Sequence, residues 1–284
     1  MSAASLFIGV VSHEGTRFPA AQGPEGLAAL LSAQLTDRGV PHSVVVDVTN
    51  RWDTAADPIK AEDVQGALSA QVNLGDEWSR YLRGHRPRSV KSAALSILRR
   101  GKRRWRRFAP PPTVMVERLL NIELAHTALL DAGVASGAQW MLILEDDAFS
   151  DDVCDLADGL VDLIKTASKD VQFVNLSESF DVAELGIARL LVRAPVAWKG
   201  TSARTVLSAS RPVTNTVCAI AYRSDFAQRL LDVYAQMPIR PVVPIDWKLN
   251  AALMQMFGSG ELGEGSCWWV VPGPIDQLSM RDDP

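Results

Sequence analysis

Trp140-Met-Leu-Ile-Leu-Glu-Asp-Asp-Ala148 decides how the chain reads. An apolar run passes straight into three adjacent carboxylates, and the chain then turns apolar again. A short apolar run bounded by polar residues is the mark of a buried strand. Three neighbouring acids repel one another and add nothing to a core, so a positive group is expected beside them. In an open α/β sheet, ligands sit beyond the carboxyl ends of the strands. Glu145, Asp146 and Asp147 fall on that edge. Carboxylate oxygens are hard ligands that suit Mg²⁺ or Mn²⁺, ions that keep waters and bridge to phosphates. The cluster therefore implies a metal carrying a diphosphate. The alternative is an acidic turn whose Asp147 caps the next helix. Asp151, Asp152 and Asp155 continue the acidic run and read as a solvated first helical turn, favoured by the helix dipole.

The same alternation extends outward from this strand. Upstream, Leu6 to Val11 is an apolar run ending in a polar loop, Ser12 to Gly26. Leu27 to Leu35 has helical spacing and stops at Gly39-Val40-Pro41, and Val44 to Val48 is a second strand. Val116, Leu119, Leu120, Leu124 and Ala128 keep one helical face, with Gly133 as the expected stop. Downstream, Val153 to Ile164 is helical and Val171 to Leu176 is a strand. Residues 181 to 212 read as irregular hairpins, with Leu190 to Val192 and Thr205 to Leu207 as candidate strands. Val217 to Tyr222 is a strand, and Ser224 caps a helix ended by Pro238. Pro244-Ile245-Asp246 opens a last helix through Met256, and Trp268 to Val271 is the final strand. Strands alternating with helices give an α/β fold with a mostly parallel central sheet. The chain is read as one catalytic domain over 1–284, with residues 53–110 as a basic helical or mobile insertion closed by Pro110-Pro111-Pro112.

Composition narrows the function. The 284 residues are 47% hydrophobic and 22% charged, with a net charge of −4, which is no profile for a polyanion binder. Cys154, Cys218 and Cys267 are scattered and odd in number, so free thiols are expected, without a disulfide framework or zinc site. The opening MSAASLFIGVVSHEG lacks a basic n-region and reads as a first strand, not a signal peptide. No apolar stretch approaches the ~20 residues of a membrane helix. The expected place is the cytoplasm, either free or peripheral at the inner face of the cell membrane. There is no G-x-x-x-x-G-K-[ST] loop, and no G-x-G-x-x-G follows the first strand, which argues against P-loop and dinucleotide sites.

Three separated stretches carry a resemblance. Glu117-Arg-Leu-Leu-Asn-Ile-Glu-Leu-Ala-His126 followed by Trp140 to Ala148 is similar to a helix ending in Ser-His and a strand ending in Glu-Asp-Asp. Thr216 to Tyr222 with Pro244-Ile-Asp246 is similar to a small-residue strand and a downstream Val-Asp. Pro272-Gly-Pro-Ile-Asp-Gln-Leu-Ser279 is similar to a late proline-to-glutamine segment. Together they resemble glycosyltransferase family 25, the lipooligosaccharide-galactosyltransferase type, which has a GT-A fold (a Rossmann-like nucleotide-diphospho-sugar transferase fold). Two departures stand out. The Ser-His is Ala125-His126 here, and residues 53 to 110 are a longer insertion.

The resemblance implies that Glu145, Asp146 and Asp147 form the donor and metal motif, with Asp147 first and Glu145 second as ligands. It implies that Ser12, His13 and Arg17 hold the nucleotide, although Arg17 reads equally as a surface-loop residue. His126 reads as a helical structural residue or as a member of the site. An inverting transfer needs a base for the acceptor hydroxyl. Asp246 is preferred over Glu178 for that role, and a plain helix cap is the alternative for Asp246. The implied cofactors are Mn²⁺ or Mg²⁺ and a UDP- or GDP-sugar. The implied partner is a glycan or glycolipid acceptor. Arg99-Arg-Gly-Lys-Arg-Arg-Trp-Arg-Arg-Phe108, behind an apolar stripe from Val90, suits an anionic membrane surface over 90–108 or a solvated basic loop near the donor phosphates. Nucleic acid is not expected, because the rest of the chain is acidic and offers no recognition motif. The rival readings are a Mg²⁺-dependent nucleotidyltransferase or phosphohydrolase, and a non-catalytic sugar- or membrane-binding domain.

Overall fold

The computed structural model describes residues 5–14, 16–48, 51–53, 55–84, 113–178, 182, 186–214 and 216–281. Its sheet is built around β1 (Leu6–Val11) and β3 (Trp140–Glu145), which pair in parallel. Both read as unbroken apolar runs because both faces of the sheet are covered. Leu6, Ile8, Val10, Trp140, Leu142 and Leu144 enter one core, and Phe7, Val11, Met141 and Ile143 enter the other. The first core is closed by α1 (Leu27–Asp37) and α4 (Val153–Thr166). The second is closed by α3 (Thr113–Ala135), α5 (Ser224–Gln236) and α6 (Ile245–Ser259).

Among the described residues the sheet has eight strands. With β2 (His42–Asp47), β5 (Phe173–Asn175), β6 (Leu191–Arg193), β7 (Thr205–Ala209), β8 (Ala219–Arg223) and β9 (Cys267–Val271), the order is β2-β1-β3-β8-β5-β9-β7-β6. Six strands run one way. β8 runs against β3 and β5, and β7 runs against β9 and β6. The reversal of β8 matters for the site. The segment leading into β8 starts at the edge where β1 and β3 end, so Cys218 lies beside Glu145, whose N–H donates to the Cys218 carbonyl at 2.9 Å. A separate two-stranded pair joins β4 (Ala148–Phe149) to β10 (Asp276–Gln277), and α7 (Leu278–Arg281) follows at once.

Several local expectations change. Gly39, at φ +64, ends α1 as expected, with its N–H on Thr36 and that of Val40 on Leu35. Gly133 does not end α3, which continues to Ala135. A Cβ at Gly133 would stand 2.0 Å from the Met141 sulfur, so this glycine is there for close helix–strand approach. Ser224 is the first residue of α5 and not its cap; its hydroxyl donates to the Ala138 carbonyl. Asp152 caps α4, accepting from the Asp155 N–H at 2.9 Å. Asp155 is not solvated, being 0% exposed. Burial works to raise its carboxyl, but the Ser202 N–H at 2.7 Å, Arg204 at 3.1 Å and Trp198 at 3.2 Å outweigh this and hold it below the usual range.

Within residues 53–110 the structure describes one helix, α2 (Ala61–Arg83). It buries Val64 in a third core with Val116, Leu120 and Val242. Arg240 ties the segment down through Asp57 and Asp63, both at 2.9 Å. The basic stretch Arg99 to Phe108, and with it 90–108, lies outside the described residues. Among the described residues, no helix is long and apolar enough to cross a membrane. The three cysteines are free, and only Cys154 is exposed.

Candidate active site

The acids sit where the strand pattern puts them. Val11 is in register with Glu145, so the loop after β1 and the turn after β3 leave the sheet side by side. Asp146 faces that loop. Its Oδ2 accepts from Ser12 Oγ at 3.3 Å and from the Thr16 hydroxyl, and Gln22 donates to Ser12 Oγ at 3.0 Å. Asp146 therefore ties the two loops together. Glu145 turns to the other side, where Gln277 donates to its Oε2 at 3.0 Å. Asp147 is 7% exposed, and its Oδ2 accepts from the Ser279 hydroxyl. Its Oδ1 is buried without a hydrogen-bond partner. Burial pushes its carboxyl up and the charges of Glu145 and Asp146 add to this, while the Ser279 and, less, the Gln277 side chains offset part of it. The expected cap role of Asp147 is excluded, because Asp152 holds that position.

These residues open onto a cavity of about 500 Å³. Ser12, His13, Thr16 and Arg17 line it from the loop after β1, and Arg118 and Asn121 from α3. Glu145, Asp146, Asp147 and Ser279 complete the wall. Carboxylate oxygens of Glu145 and Asp147 and the Cys218 sulfur lie within 4.8 Å of one another. The two carboxylates fit a hard divalent ion, and the unpartnered Asp147 oxygen gives it a reason to bind. The Cys218 thiol does not fit that role. Burial first, then Glu145 and Asp147, push it well above its usual range, so it stays a neutral thiol behind the acids.

His126, on α3, is 3% exposed, with Nε2 3.7 Å from Glu145 Oε1 and no hydrogen-bond partner. One turn earlier on α3, Glu123 forms a buried ion pair with Lys248 of α6, whose ammonium lies 5.2 Å from the Tyr234 ring centre. That pair holds α3 against α6 and so sets His126 relative to Asp246. Asp246 is not the cap of α6, since Pro244 holds that position. Its carboxyl is pushed up to about 6, by burial first and by the charge of Glu145, against the N–H groups of Trp247 and itself and against His126. It lines a separate cleft of about 110 Å³. Glu178 stands apart. It is exposed, and its carboxylate accepts from the Gly273 N–H, which fixes the turn after β9.

The structure thus gathers Ser12, His13, Arg17, Glu145, Asp146 and Asp147 on one cavity, places Asp246 within electrostatic reach, and leaves Glu178 outside. Sequence reasoning missed Thr16, Arg118, Asn121, Gln277 and Ser279. Gln277 and Ser279 fall in the late proline-to-glutamine segment, which was the signal available for them.

No protein-family model matches the chain, and no curated protein matches it. A solved structure titled "Crystal structure of a glycosyltransferase involved in the glycosylation of the major capsid of PBCV-1" is similar over 97% of this chain and 92% of that one, at 7% identity and a TM-score of 0.35. A likeness that loose carries no argument.

Proposed function

We propose that the protein is a metal-dependent glycosyltransferase of GT-A architecture. It would move a sugar from a UDP- or GDP-sugar to a hydroxyl of a glycan or glycolipid, with inversion. One observation carries this reading: a buried Asp147 oxygen without a partner, beside Glu145, on the wall of a cavity that also presents Arg17 and Arg118. Anionic ligands for a cation and cationic side chains for an anion share one space, which is what a metal–diphosphate pair requires. The cavity volume lies in the roughly 300–1,000 Å³ range of small-molecule sites.

In this reading Glu145 and Asp147 would hold the ion. When bound, a divalent ion supplies neutralisation of the charge that builds on the leaving diphosphate. Asp146 keeps the loop after β1 in place through Ser12 and Thr16, so that His13 and Arg17 face the donor. Asp246 takes the proton of the acceptor hydroxyl. A carboxyl held near 6 is a stronger base than an ordinary aspartate and is still ionised at neutral pH.

The test is a thermal-shift measurement with UDP, GDP and CMP, each with and without Mn²⁺. A Mn²⁺-dependent rise with UDP or GDP is expected, and no rise with any nucleotide removes the reading. Incubation with nucleotide-sugars separates the rivals. A transferase slowly releases nucleoside diphosphate, a nucleotidyltransferase or phosphohydrolase cleaves at phosphorus, and a binding domain does neither.

A further inference from the structure

A second cleft opens where α2 lies across α6. Leu74 and Trp78, four residues apart on α2, form one wall. Asp246, Trp247, Asn250 and Met254 of α6 form the other, together with Thr214, whose hydroxyl is committed to the Thr216 carbonyl. The cleft is about 110 Å³, room for part of one small ring and not for an extended chain. Both indoles are half-buried and held from outside the cleft. Trp78 stacks on Tyr81 at 6.2 Å between ring centres, and the Trp247 ring lies against Gly75, where a Cβ would stand 3.5 Å away. Asn250 is committed to the framework: its amide bonds the Thr214 N–H at 3.1 Å and the Thr214 and Asp246 carbonyls at 3.0 Å. Asp246 is left as the polar group that a ligand would meet.

We propose that this cleft is the acceptor site, taking the terminal sugar ring of a glycan on the Trp78 and Trp247 indoles, with its attacking hydroxyl on Asp246. The proposal rests on the glycosyltransferase reading. A sugar ring has an apolar C–H face and a hydroxyl rim. Rigid indoles match the first with large area at little entropic cost, and a carboxylate matches the second with a charge-assisted hydrogen bond. A wholly apolar occupant would strip water from Asp246 without replacing its hydrogen bonds. In the transfer, the acceptor O–H bond breaks and its proton passes to the Asp246 carboxylate. The new C–O bond forms at the anomeric carbon as the bond to the diphosphate breaks, and the diphosphate leaves with that electron pair. One wall of the cleft comes from α2, so the choice of acceptor would be written partly in the 53–110 insertion and not in the donor cavity alone.

The experiment is saturation-transfer NMR on the full chain with the methyl glycosides of galactose, glucose, mannose and N-acetylglucosamine. At least one should receive saturation from the wild-type protein. Trp78→Leu and Trp247→Leu, which keep apolar bulk but remove the flat ring, should each weaken that binding about tenfold or more. Trp78→Phe should retain it. Leu74→Arg, which fills the cleft from a half-exposed helical position, should abolish it without touching either ring. No transfer to any of the four glycosides, or transfer that survives Leu74→Arg and both Leu substitutions, overturns the proposal. So does preferential binding of a lysine tripeptide, which would mark a cation site. A protein that shifts with UDP or GDP but binds no glycoside loses the acceptor site alone. One that binds glycosides in this cleft but no nucleotide keeps a saccharide site and loses the transferase reading.

Discussion

Asp147 concentrates the chemistry of the site in one carboxyl group. Its folded-state pKa is raised, so the folded chain holds this proton more tightly than the unfolded chain does. The sign follows. The contribution of Asp147 to metal-free stability is largest below the ordinary aspartate value and is lost as pH rises through the folded value. Asp147→Asn removes the charge behind that fall. In EDTA, urea melts of the variant should change less than those of wild type as pH rises from the ordinary aspartate range to pH 8, and the variant should be at least as stable at pH 8. Mn²⁺ should stabilise wild type and not the variant, and donor turnover should be mostly lost. Wild-type rates in excess EDTA would remove the metal from the mechanism. Asp246 gives the second residue-scale expectation. Its carboxyl near 6 predicts that transfer falls on the acid side of about pH 6. Part of that shift comes from the charge of Glu145, so a cation that neutralises Glu145 should draw the inflection downward. Asp246→Asn should cost roughly 10²-fold or more in transfer with nucleotide binding little changed. An active Asp246→Asn beside an inactive Glu178→Gln would reverse the assignment of the base.

The return of the chain through β10 and α7 completes the acid cluster. Gln277 and Ser279 fix Glu145 and Asp147 from behind, and such supporting bonds are worth about 10- to 100-fold in metal affinity. Ser279→Ala should therefore raise the Mn²⁺ concentration needed for half-maximal activity by about tenfold, by removing the donor that favours an ionised Asp147. An unchanged Mn²⁺ requirement would show that Ser279 only packs. This support was out of reach of sequence patterns. β4 and β10 are two residues each, too short for any periodicity, and they pair across more than a hundred positions. By contrast β1 and β3 were legible, because strands buried on both faces leave unbroken apolar runs. Gly133 misled because a glycine near a helix end and one under a crossing strand look the same in sequence. Asp155 misled for a similar reason. Its partners Trp198, Ser202 and Arg204 lie in a stretch without regular pattern, so nothing local marked it as buried. The acids after β3 were readable as a cluster, while the division of work among them was not, since it depends on which side chain each one faces.

Charge acts on the molecule as a whole. The chain carries −4, and without Arg99, Arg100, Lys102, Arg103, Arg104, Arg106 and Arg107 it would carry −11. An anionic surface would repel the rest of the protein and attract this one segment, so any approach to such a surface is oriented by it. Each cation near an anionic leaflet contributes about 1 kcal/mol, and the attraction fades beyond a Debye length of about 8 Å in physiological salt. If the proposed attachment holds, seven such cations would suffice for reversible binding, to which Trp105 and Phe108 would add shallow apolar insertion. The segment follows α2, the helix proposed to hold the acceptor, so an acceptor embedded in a membrane would meet the cleft and the anchor on one continuous stretch of chain. Binding to vesicles containing phosphatidylserine should therefore be measurable at low salt, weaken steeply as salt rises, and be absent from neutral vesicles. Changing the seven residues to Gln should abolish it while the Mn²⁺-dependent thermal shift with nucleotide persists. If the Gln variant instead loses its nucleotide response, the cations belong to the donor phosphates, and attachment to a membrane is not their role.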